Sequence, residues 1–302
     1  MGKITFNRVR RKIGSIVQRK IVTYRKQRLV SFVQKADFPY GLNQLERKEK
    51  IIISLTSYPP RFSSIGLVLK SLLLQTIKPD MIILWLGCGP EAITPEMHSF
   101  ETYGISFRYW LPNYGPHDKY FFALQEFCDD IVITVDDDAI YPPDLVTSLL
   151  EAHHLYPGCI CARKVHKITW DEHKTIRPYQ QWHKKYKKTL LPSKDLVAIG
   201  VGGILYPPRS FSQMAFNPFL FSQLCPKQDD LWLKWMEMRE GIDIVWAPNS
   251  LPDPPEAEGS QIVALNSFNV NGHGNDDAIA ALSRYFGVIT PDGFVPNQNT
   301  SR

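Results

Sequence analysis

The chain has 302 residues, of which 44% are hydrophobic, and it carries a formal net charge of +5. This composition suffices for a large buried core and excludes a chain that is disordered throughout. The five cysteines are odd in number and include no CxxC pair, which argues against a disulfide framework. Because no apolar stretch approaches the length of a membrane-spanning helix and no signal peptide is evident, we expect a cytoplasmic protein.

The positive charge is concentrated at the start of the chain. Residues 1–36 hold eleven Lys or Arg and no acid, interleaved with apolar residues of which several have helical spacing. A basic amphipathic segment is typical of peripheral binding to an anionic membrane surface, here the inner face of the plasma membrane. The alternatives are a helix packed on the folded domain and, with weaker support, a nucleic-acid contact; we expect no nucleic-acid partner.

The next residues predict a linker and then an alternation of strands and helices. Residues 37–50 read as the linker, and residues 51–302 as the folded domain. Apolar runs predict strands, and apolar residues at i, i+3, i+4, i+7 and i+8 predict the first helix after the linker. The predicted elements of the first half are strand 51–56, helix 65–73, strand 81–86, strand 106–110, helix 119–127 and strand 131–135.

The last of these strands ends in the run Asp136-Asp137-Asp138. A strand of apolar β-branched residues is buried on both faces, and the C-terminal ends of such strands form the ligand-binding edge of open α/β sheets. Three acids at one point repel one another unless a cation joins them. A divalent ion with oxygen ligands, Mg²⁺ or Mn²⁺, fits this place and brings substrate phosphates with it. A solvated acidic turn is the plain alternative.

Two stretches of the second half point toward the same edge. Residues 198–208 predict a strand interrupted by Gly200, Gly202 and Gly203, which permit close approach of the backbone to a ligand. A turn or bulge explains the same glycines. Residues 164–188 are rich in His, Lys, Arg and Trp without periodicity, and we interpret them as a flap over the site.

An acid pair, Asp229-Asp230, stands at the predicted start of a helix that ends at Gly241. N-capping by Asp229 is the structural explanation, and it accounts for one of the two acids. The second acid has no such explanation, so the pair is a candidate for chemistry.

Taken in order, these motifs resemble the GT-A glycosyltransferases, most closely the inverting family 2 type and its relatives in bacterial capsule and lipopolysaccharide synthesis. The resemblance covers about residues 51–240 and rests on the loop 54–61, the acid run, the glycine-rich 200–206 and the acid pair. It implies an α/β fold of the GT-A type, with a mixed, mostly parallel central sheet and flanking helices. It also implies a nucleotide-sugar-binding half, 51–157, and an acceptor-binding half with the C-terminal region, 158–302.

The resemblance further implies roles for the acids. Asp136 and Asp138 match the outer acids of the Asp-x-Asp motif, which holds Mn²⁺ or Mg²⁺ on the diphosphate of a nucleotide sugar. Asp230 matches the second acid of the family's acidic pair and is the implied general base, with Asp229 beside it. Transfer of one sugar with inversion to a hydroxyl of a glycan or lipid-linked glycan follows from these roles. The Gln-x-x-Arg-Trp sequence of processive synthases is absent, which favours one sugar per encounter.

Further residues are candidates for contacts with the donor or the metal. Arg61 and Lys119 are the candidate phosphate partners, with a solvated surface charge as the alternative for each. His273 is a candidate third metal ligand, although a His in a polar glycine loop is also simply exposed. The candidate nucleotide-sugar contacts are Thr56, Ser57, Tyr58, Arg61, Lys119, Asp136, Asp137, Gly202 and Gly203.

Three rival functions remain open at this stage. A sugar nucleotidyltransferase keeps the metal, but it normally has a glycine-rich phosphate loop after the first strand, where this chain has Ser57-Tyr58-Pro59-Pro60. A phosphatase places its nucleophilic acid near the start of the fold, whereas Asp136 lies well inside it. A noncatalytic, membrane-associated nucleotide-sugar-binding protein is the rival from another class. The nucleotide is also open, because residues 86–89 lack the aspartate that usually contacts the base.

Overall fold

The computed structural model describes residues 2–37, 39–249, 251, 253–258 and 274–297, with side chains from residue 17 onward. The helices are α1 Gly2–Lys35, α2 Phe62–Leu73, α3 Pro95–Ser99, α4 Asp118–Phe121, α5 Ala123–Glu126, α6 Leu145–Leu155, α7 Pro218–Leu224, α8 Asp229–Glu240 and α9 Gly274–Phe286. The strands are β1 Ile51–Ser57, β2 Met81–Leu86, β3 Ile105–Tyr109, β4 Ile131–Thr134, β5 Ile160–Ala162, β6 Val165–Lys167, β7 Leu196–Ala198, β8 Ile204–Tyr206, β9 Ile244–Trp246, β10 Gly287–Thr290 and β11 Gly293–Pro296.

A seven-stranded sheet in the order β3-β2-β1-β4-β8-β5-β9 forms the centre of the domain. Strands β1 to β4 pair in parallel, as do β5 and β9, whereas β8 runs antiparallel to both of its neighbours. The predicted α/β class, with a mixed, mostly parallel sheet and flanking helices, is therefore confirmed. Two antiparallel pairs, β6 with β7 and β10 with β11, lie outside this sheet.

The sheet is buried on both faces because its strands are apolar at consecutive positions. Ile52 belongs to the core on one face, together with α8 and α9, and Ile53 to the core on the other, together with α2 and α6. Period-2 alternation of a strand puts neighbouring side chains on opposite faces, so a fully apolar strand serves two cores at once. The C-terminal ends of β1, β2 and β4 meet at one edge, which is where the candidate site forms.

Two of the predicted elements differ from the structure. The helix predicted over 119–127 is two short helices, α4 and α5, that meet at Phe122. The strand predicted over 198–208 is two strands in different sheets, with a 3-10 turn at Gly200–Gly202 between them. Gly203, at φ 89°, has the left-handed backbone conformation that redirects the chain from β7 into β8.

The linker and the basic segment both contact the domain. Asp80 joins the linker to β1, since it accepts hydrogen bonds from the side chains of Asn43 and Arg47 and from the Ile51 backbone. In α1, Leu29 and Val33 are buried against the core that contains α2. Within the described residues, no helix combines the length and apolarity needed to cross a membrane.

Candidate active site

The three acids of the run lie in a turn just beyond β4, not in the strand itself. Three contacts hold this turn at the sheet edge. The Asp136 N–H donates to the Tyr141 hydroxyl at 2.9 Å, and that hydroxyl donates to the Val201 carbonyl at 3.3 Å. The Asp138 carbonyl accepts from the Ala257 N–H at 2.8 Å. The acidic turn is therefore an ordered part of the edge and not a mobile loop.

The Asp137 carboxylate contacts residues of the first loop. It accepts a 2.5 Å hydrogen bond from Ser57 and an ion pair from Arg61, and Arg61 also lies 3.2 Å from Asp138. Burial raises the pKa of Asp137, while Arg61 and Ser57 oppose that shift. Burial also lowers the pKa of Arg61, but the charges of Asp137 and Asp138 outweigh this effect and keep it protonated. Ser57 and Arg61 therefore hold the acidic turn in place through their contacts with Asp137.

Lys119 joins the acid run to the acid pair. Its Nζ lies 2.6 Å from an oxygen of Asp136 and 2.8 Å from an oxygen of Asp229, and its side chain is 6% exposed. Ser54 of β1 positions this lysine by donating a 2.5 Å hydrogen bond to its carbonyl oxygen. Burial lowers the pKa of Lys119, but Asp136 and Asp229 raise it further than burial lowers it. The lysine is a fixed cation between two carboxylates.

The acid pair begins α8 without capping it. The N-cap position belongs to Gln228, which makes no capping hydrogen bond with its side chain, so the N-capping explanation of Asp229 is wrong. Asp230 accepts a 3.0 Å hydrogen bond from the Gly200 N–H. Burial and the neighbouring charge of Asp229 raise the pKa of Asp230 well above the usual carboxyl range, against the opposing effect of Lys119. A raised pKa suits a carboxylate that must accept a proton.

Asp136 and Asp138 fit the oxygen-ligand chemistry of a divalent ion. Lys119 binds one oxygen of Asp136 and Arg61 one oxygen of Asp138, while the other oxygen of each carboxylate has no hydrogen-bond partner in the part of the chain that the structure describes. Burial and the negative charge of Asp136 raise the pKa of Asp138 to about 6. A cation bound between the two carboxylates would relieve their repulsion. Among the described residues no group of three or more His, Cys, Asp or Glu forms a metal site. Two carboxylates suffice for Mg²⁺ when substrate phosphates and water complete its shell.

These groups line one cleft of about 1090 Å³. The first loop, the acidic turn and the start of α8 form one side of it, and residues of the predicted flap form another. A cleft of this size accommodates a nucleotide sugar together with part of a second substrate. The flap prediction is consistent with this position, since residues from 164 to 185 line the same cleft as the acids.

The predicted donor contacts are partly gathered at this cleft. Thr56, Ser57 and Tyr58 line it beside the acids, and the Thr56 hydroxyl donates to the Trp85 carbonyl at 3.1 Å. Gly202 and Gly203 are not among the lining residues, because they pack against Lys164 and Leu145. Their predicted contact with the donor stays a prediction, as do those of Arg61 and Lys119, whose charges face acids of the protein. His273 lies outside the described residues.

Several cleft residues escaped the sequence analysis. Of the three glycines that the sequence marks for close approach of the backbone, Gly200 contacts the acid pair, since its N–H donates to Asp230. The flap contributes side chains that no periodic pattern or motif marks. Their only signal is the high content of His, Lys and aromatic residues in that stretch. The flap residues that line the cleft are Lys164, His166, Tyr179, Gln180, Lys184 and Lys185.

Comparisons with known proteins give likenesses in structure alone. No family model matches the chain, and no curated protein matches its sequence. A mannosyltransferase from Pyrobaculum calidifontis in complex with GDP-mannose and Mn²⁺ is similar at 11% identity and a TM-score of 0.47, over 89% of this chain and 74% of that one. TarS of S. aureus in complex with UDP is similar at 14% identity and a TM-score of 0.41, over 79% and 72%.

A CMP:2-keto-3-deoxy-manno-octonic acid synthetase in complex with CTP is also similar, at 13% identity and a TM-score of 0.38, over 66% of this chain and 89% of that one. None of these likenesses assigns the chain to a family. The fold class follows from the strand order and pairing of this chain itself.

Proposed function

We propose that the chain is a metal-dependent glycosyltransferase that moves one sugar from a nucleoside-diphosphate sugar to a hydroxyl of an acceptor, with inversion. The acceptor is a glycan or a lipid-linked glycan. The observation that carries this proposal is the junction at Lys119, where one buried ammonium contacts both the acid run after β4 and the acid pair of α8. Two acidic motifs with different environments in one cleft suit two tasks, holding a metal-bound diphosphate and accepting a proton.

In this mechanism different residues bind the metal, position the carboxylates and accept the proton. Asp136 and Asp138 would hold a divalent ion, whose charge would compensate that of the leaving diphosphate. Arg61 and Lys119 fix the two carboxylates in place. Asp230 takes the proton of the acceptor hydroxyl while that oxygen attacks the anomeric carbon from the face opposite the leaving group. The raised pKa of Asp230 makes it a stronger base than an ordinary carboxylate.

The first test is a screen of nucleotide sugars for hydrolysis in the presence of Mn²⁺. We expect one donor to release its nucleoside diphosphate, with the rate reduced at least ~10²-fold in Asp138→Ala and Asp230→Asn. Asp129→Asn is the control, because Asp129 is exposed on the surface and its ion pair within the described residues is with Arg209. Its rate should equal that of the unmodified protein.

Other outcomes of this screen contradict the proposal. Release of pyrophosphate or of a sugar phosphate indicates nucleotidyl or phosphoryl chemistry. Tight nucleotide binding without turnover of any donor supports the noncatalytic binding protein. Equal rates in Asp138→Ala and Asp129→Asn exclude the acid run as the metal site.

We further propose that α1 places the protein on an anionic membrane. Leu29 and Val33 pack on the domain, while an adjacent face of the helix carries exposed apolar side chains among its Lys and Arg residues. Apolar and basic residues together on one exposed face favour the interface of an anionic bilayer. In the part of this helix whose side chains the structure describes, the large exposed apolar residues are Val17, Ile21, Tyr24 and Phe32.

This second proposal is tested by sedimentation with phosphatidylserine vesicles. The double variant Ile21→Asp/Tyr24→Asp should lose vesicle binding and keep donor hydrolysis. Leu190→Asp/Leu191→Asp is the matched control, since these leucines are equally exposed but belong to another surface. Undiminished sedimentation of the α1 variant contradicts the membrane role.

A further inference from the structure

The flap brings a cluster of basic side chains to the cleft that the transfer reaction described above does not use. Burial lowers the pKa of His166. The charges of three nearby lysines lower it further, namely Lys184, Lys164 and Lys185. Asp253 is the acid nearest to this cluster, and it pairs with Lys164 at 2.9 Å and with Lys185. Lys164 and Lys185 thus share one carboxylate at one wall of the cleft.

Lys184 is the member of the cluster that has no acidic partner at contact distance. Its Nζ is buried, and it makes no hydrogen bond or ion pair with the described residues. It lies 3.1 Å from the centre of the Tyr179 ring and 5.8 Å from that of Trp182. Burial lowers the pKa of Lys184 to about 8, which the charge of Asp276 opposes. An ammonium held in this way gains from any anion that enters the cleft beside it.

The position of this lysine relative to the acids indicates which substrate brings the anion. Tyr179, over which Lys184 lies, is near the proposed base: burial, and next the charge of Asp230, raise the pKa of its hydroxyl. The backbone also joins this cluster to the proposed base, because the Lys164 carbonyl accepts a 3.0 Å hydrogen bond from the Ile199 N–H and the next N–H, that of Gly200, donates to Asp230. The cluster therefore lies on the side of the cleft that holds Asp230, where the proposed function places the acceptor hydroxyl.

Resting on the proposed function, we infer that Lys184, with Lys164 and the Tyr179 ring, forms a subsite for an anionic group of the acceptor, a phosphate or a carboxylate. The aromatic ring below the ammonium offers a face for the adjacent sugar or alkyl part of the acceptor, and the lysine binds its charge. The acceptor is then an acidic glycan or a phosphate-linked one, and a neutral sugar lacks the group that this subsite binds.

Calorimetric titration with inorganic phosphate tests the subsite directly. We expect the full-length protein to bind phosphate and Lys184→Gln to bind it about tenfold more weakly, while Lys184→Arg restores most of the affinity. Lys188→Gln is the matched control, because it removes one charge from the exposed part of the same flap. Phosphate binding that is equal in Lys184→Gln and Lys188→Gln overturns the subsite.

A second titration identifies the source of the anion. The protein is saturated with Mg²⁺ and the best-binding of UDP, GDP, ADP and dTDP, and phosphate is then added. An acceptor subsite retains its phosphate affinity, still sensitive to Lys184→Gln, whereas displacement of phosphate by the nucleotide assigns the lysine to the donor diphosphate and overturns the inference. Failure of all four nucleotides to bind contradicts the proposed function, while the first titration still decides whether Lys184 binds an anion.

Discussion

Lys119 determines the geometry of the candidate site at the scale of single residues. It separates Asp136 from Asp229, which otherwise face each other as like charges in a poorly solvated place. Removal of one partner from a buried ion pair leaves an uncompensated charge, and this costs more than the intact pair contributes. The lysine is therefore required for the fold of the site as well as for its electrostatics.

For this reason we expect Lys119→Met to lower the free energy of unfolding by about 3–5 kcal/mol. Urea denaturation followed by tryptophan fluorescence measures the change. Lys188→Met, which removes an exposed lysine, should remain within ~0.5 kcal/mol of the unmodified protein. An unchanged urea midpoint in Lys119→Met shows that the carboxylates do not depend on the lysine.

His117 is a second residue whose charge state matters to the fold. It is fully buried and stacks on Phe221 with ring centroids 4.3 Å apart. Its Nε2–H donates to the Cys225 carbonyl at 2.8 Å, and its Nδ1 accepts from the Tyr120 hydroxyl at 2.9 Å, so the neutral ring is satisfied on both sides. Burial lowers its pKa to about 4 from an ordinary value of 6.5, against the charge of Asp229.

The unfolded chain therefore binds a proton at His117 between pH 6.5 and about 4, and the folded chain does not. The contribution of the neutral ring to stability is intact above pH 6.5 and is lost as the pH falls toward 4. Between pH 7 and pH 5 the stability of the unmodified protein should fall by about 2 kcal/mol relative to His117→Gln, which does not titrate. Denaturation curves at both pH values test this, and a difference that is constant with pH contradicts it.

At the scale of elements, the turn between β7 and β8 matters because it touches both acidic motifs. A Cβ added to Gly200 would lie 2.8 Å from Lys119 Nζ, 3.2 Å from an oxygen of Asp230 and 3.3 Å from an oxygen of Asp136. The glycine is required here by close approach and not by an unusual backbone angle. The turn therefore packs directly against Lys119 and the two carboxylates, and helps to fix their positions.

Gly200→Ala should accordingly reduce the turnover number for donor hydrolysis by roughly 10²-fold, because it displaces groups that must be held within a fraction of an ångström. Gly158→Ala is the matched control, since its Cβ would have no heavy atom within 4 Å. Steady-state kinetics on the same donor compare the two. Equal turnover in both variants indicates that the turn only connects strands.

The elements that were predicted correctly are those with a local signal. Strands β1, β2 and β4 and helix α2 follow from hydrophobic periodicity, which the sequence carries within a few residues. The break of 119–127 at Phe122 and the division of 198–208 between two sheets depend on tertiary contacts, which periodicity does not record. The acids of the site were found because charge at the end of an apolar strand is a local pattern too.

The partners of those acids could not be predicted in the same way. Lys119 and Arg61 were candidates for phosphate contacts, and the structure puts their charges on Asp136, Asp137, Asp138 and Asp229. Which of several acids a lysine meets depends on how distant segments pack. Lys184 and Tyr179 escaped for a related reason, because they lie in a stretch without regular secondary structure.

At the scale of the whole molecule, the sheet edge, the flap and the basic helix border one cleft. Lys26 of α1 lines it and donates to the Pro254 carbonyl at 3.4 Å, so the proposed membrane-facing helix adjoins the proposed site of transfer. The proposed membrane-binding helix and the proposed transfer site, which rest on separate observations, are therefore neighbours in the structure. A protein held on a bilayer by α1 would have the rim of its cleft close to that surface, which suits a lipid-linked acceptor.

The proposed transfer breaks the bond between the anomeric carbon of the sugar and the phosphate oxygen of the donor. Hydrolysis of the nucleotide sugar in ¹⁸O-labelled water with Mn²⁺, analysed by mass spectrometry, tests it most directly, because the attacking oxygen marks the atom that is attacked. We expect label in the free sugar and an unlabelled nucleoside diphosphate. Label in a phosphate group would contradict it.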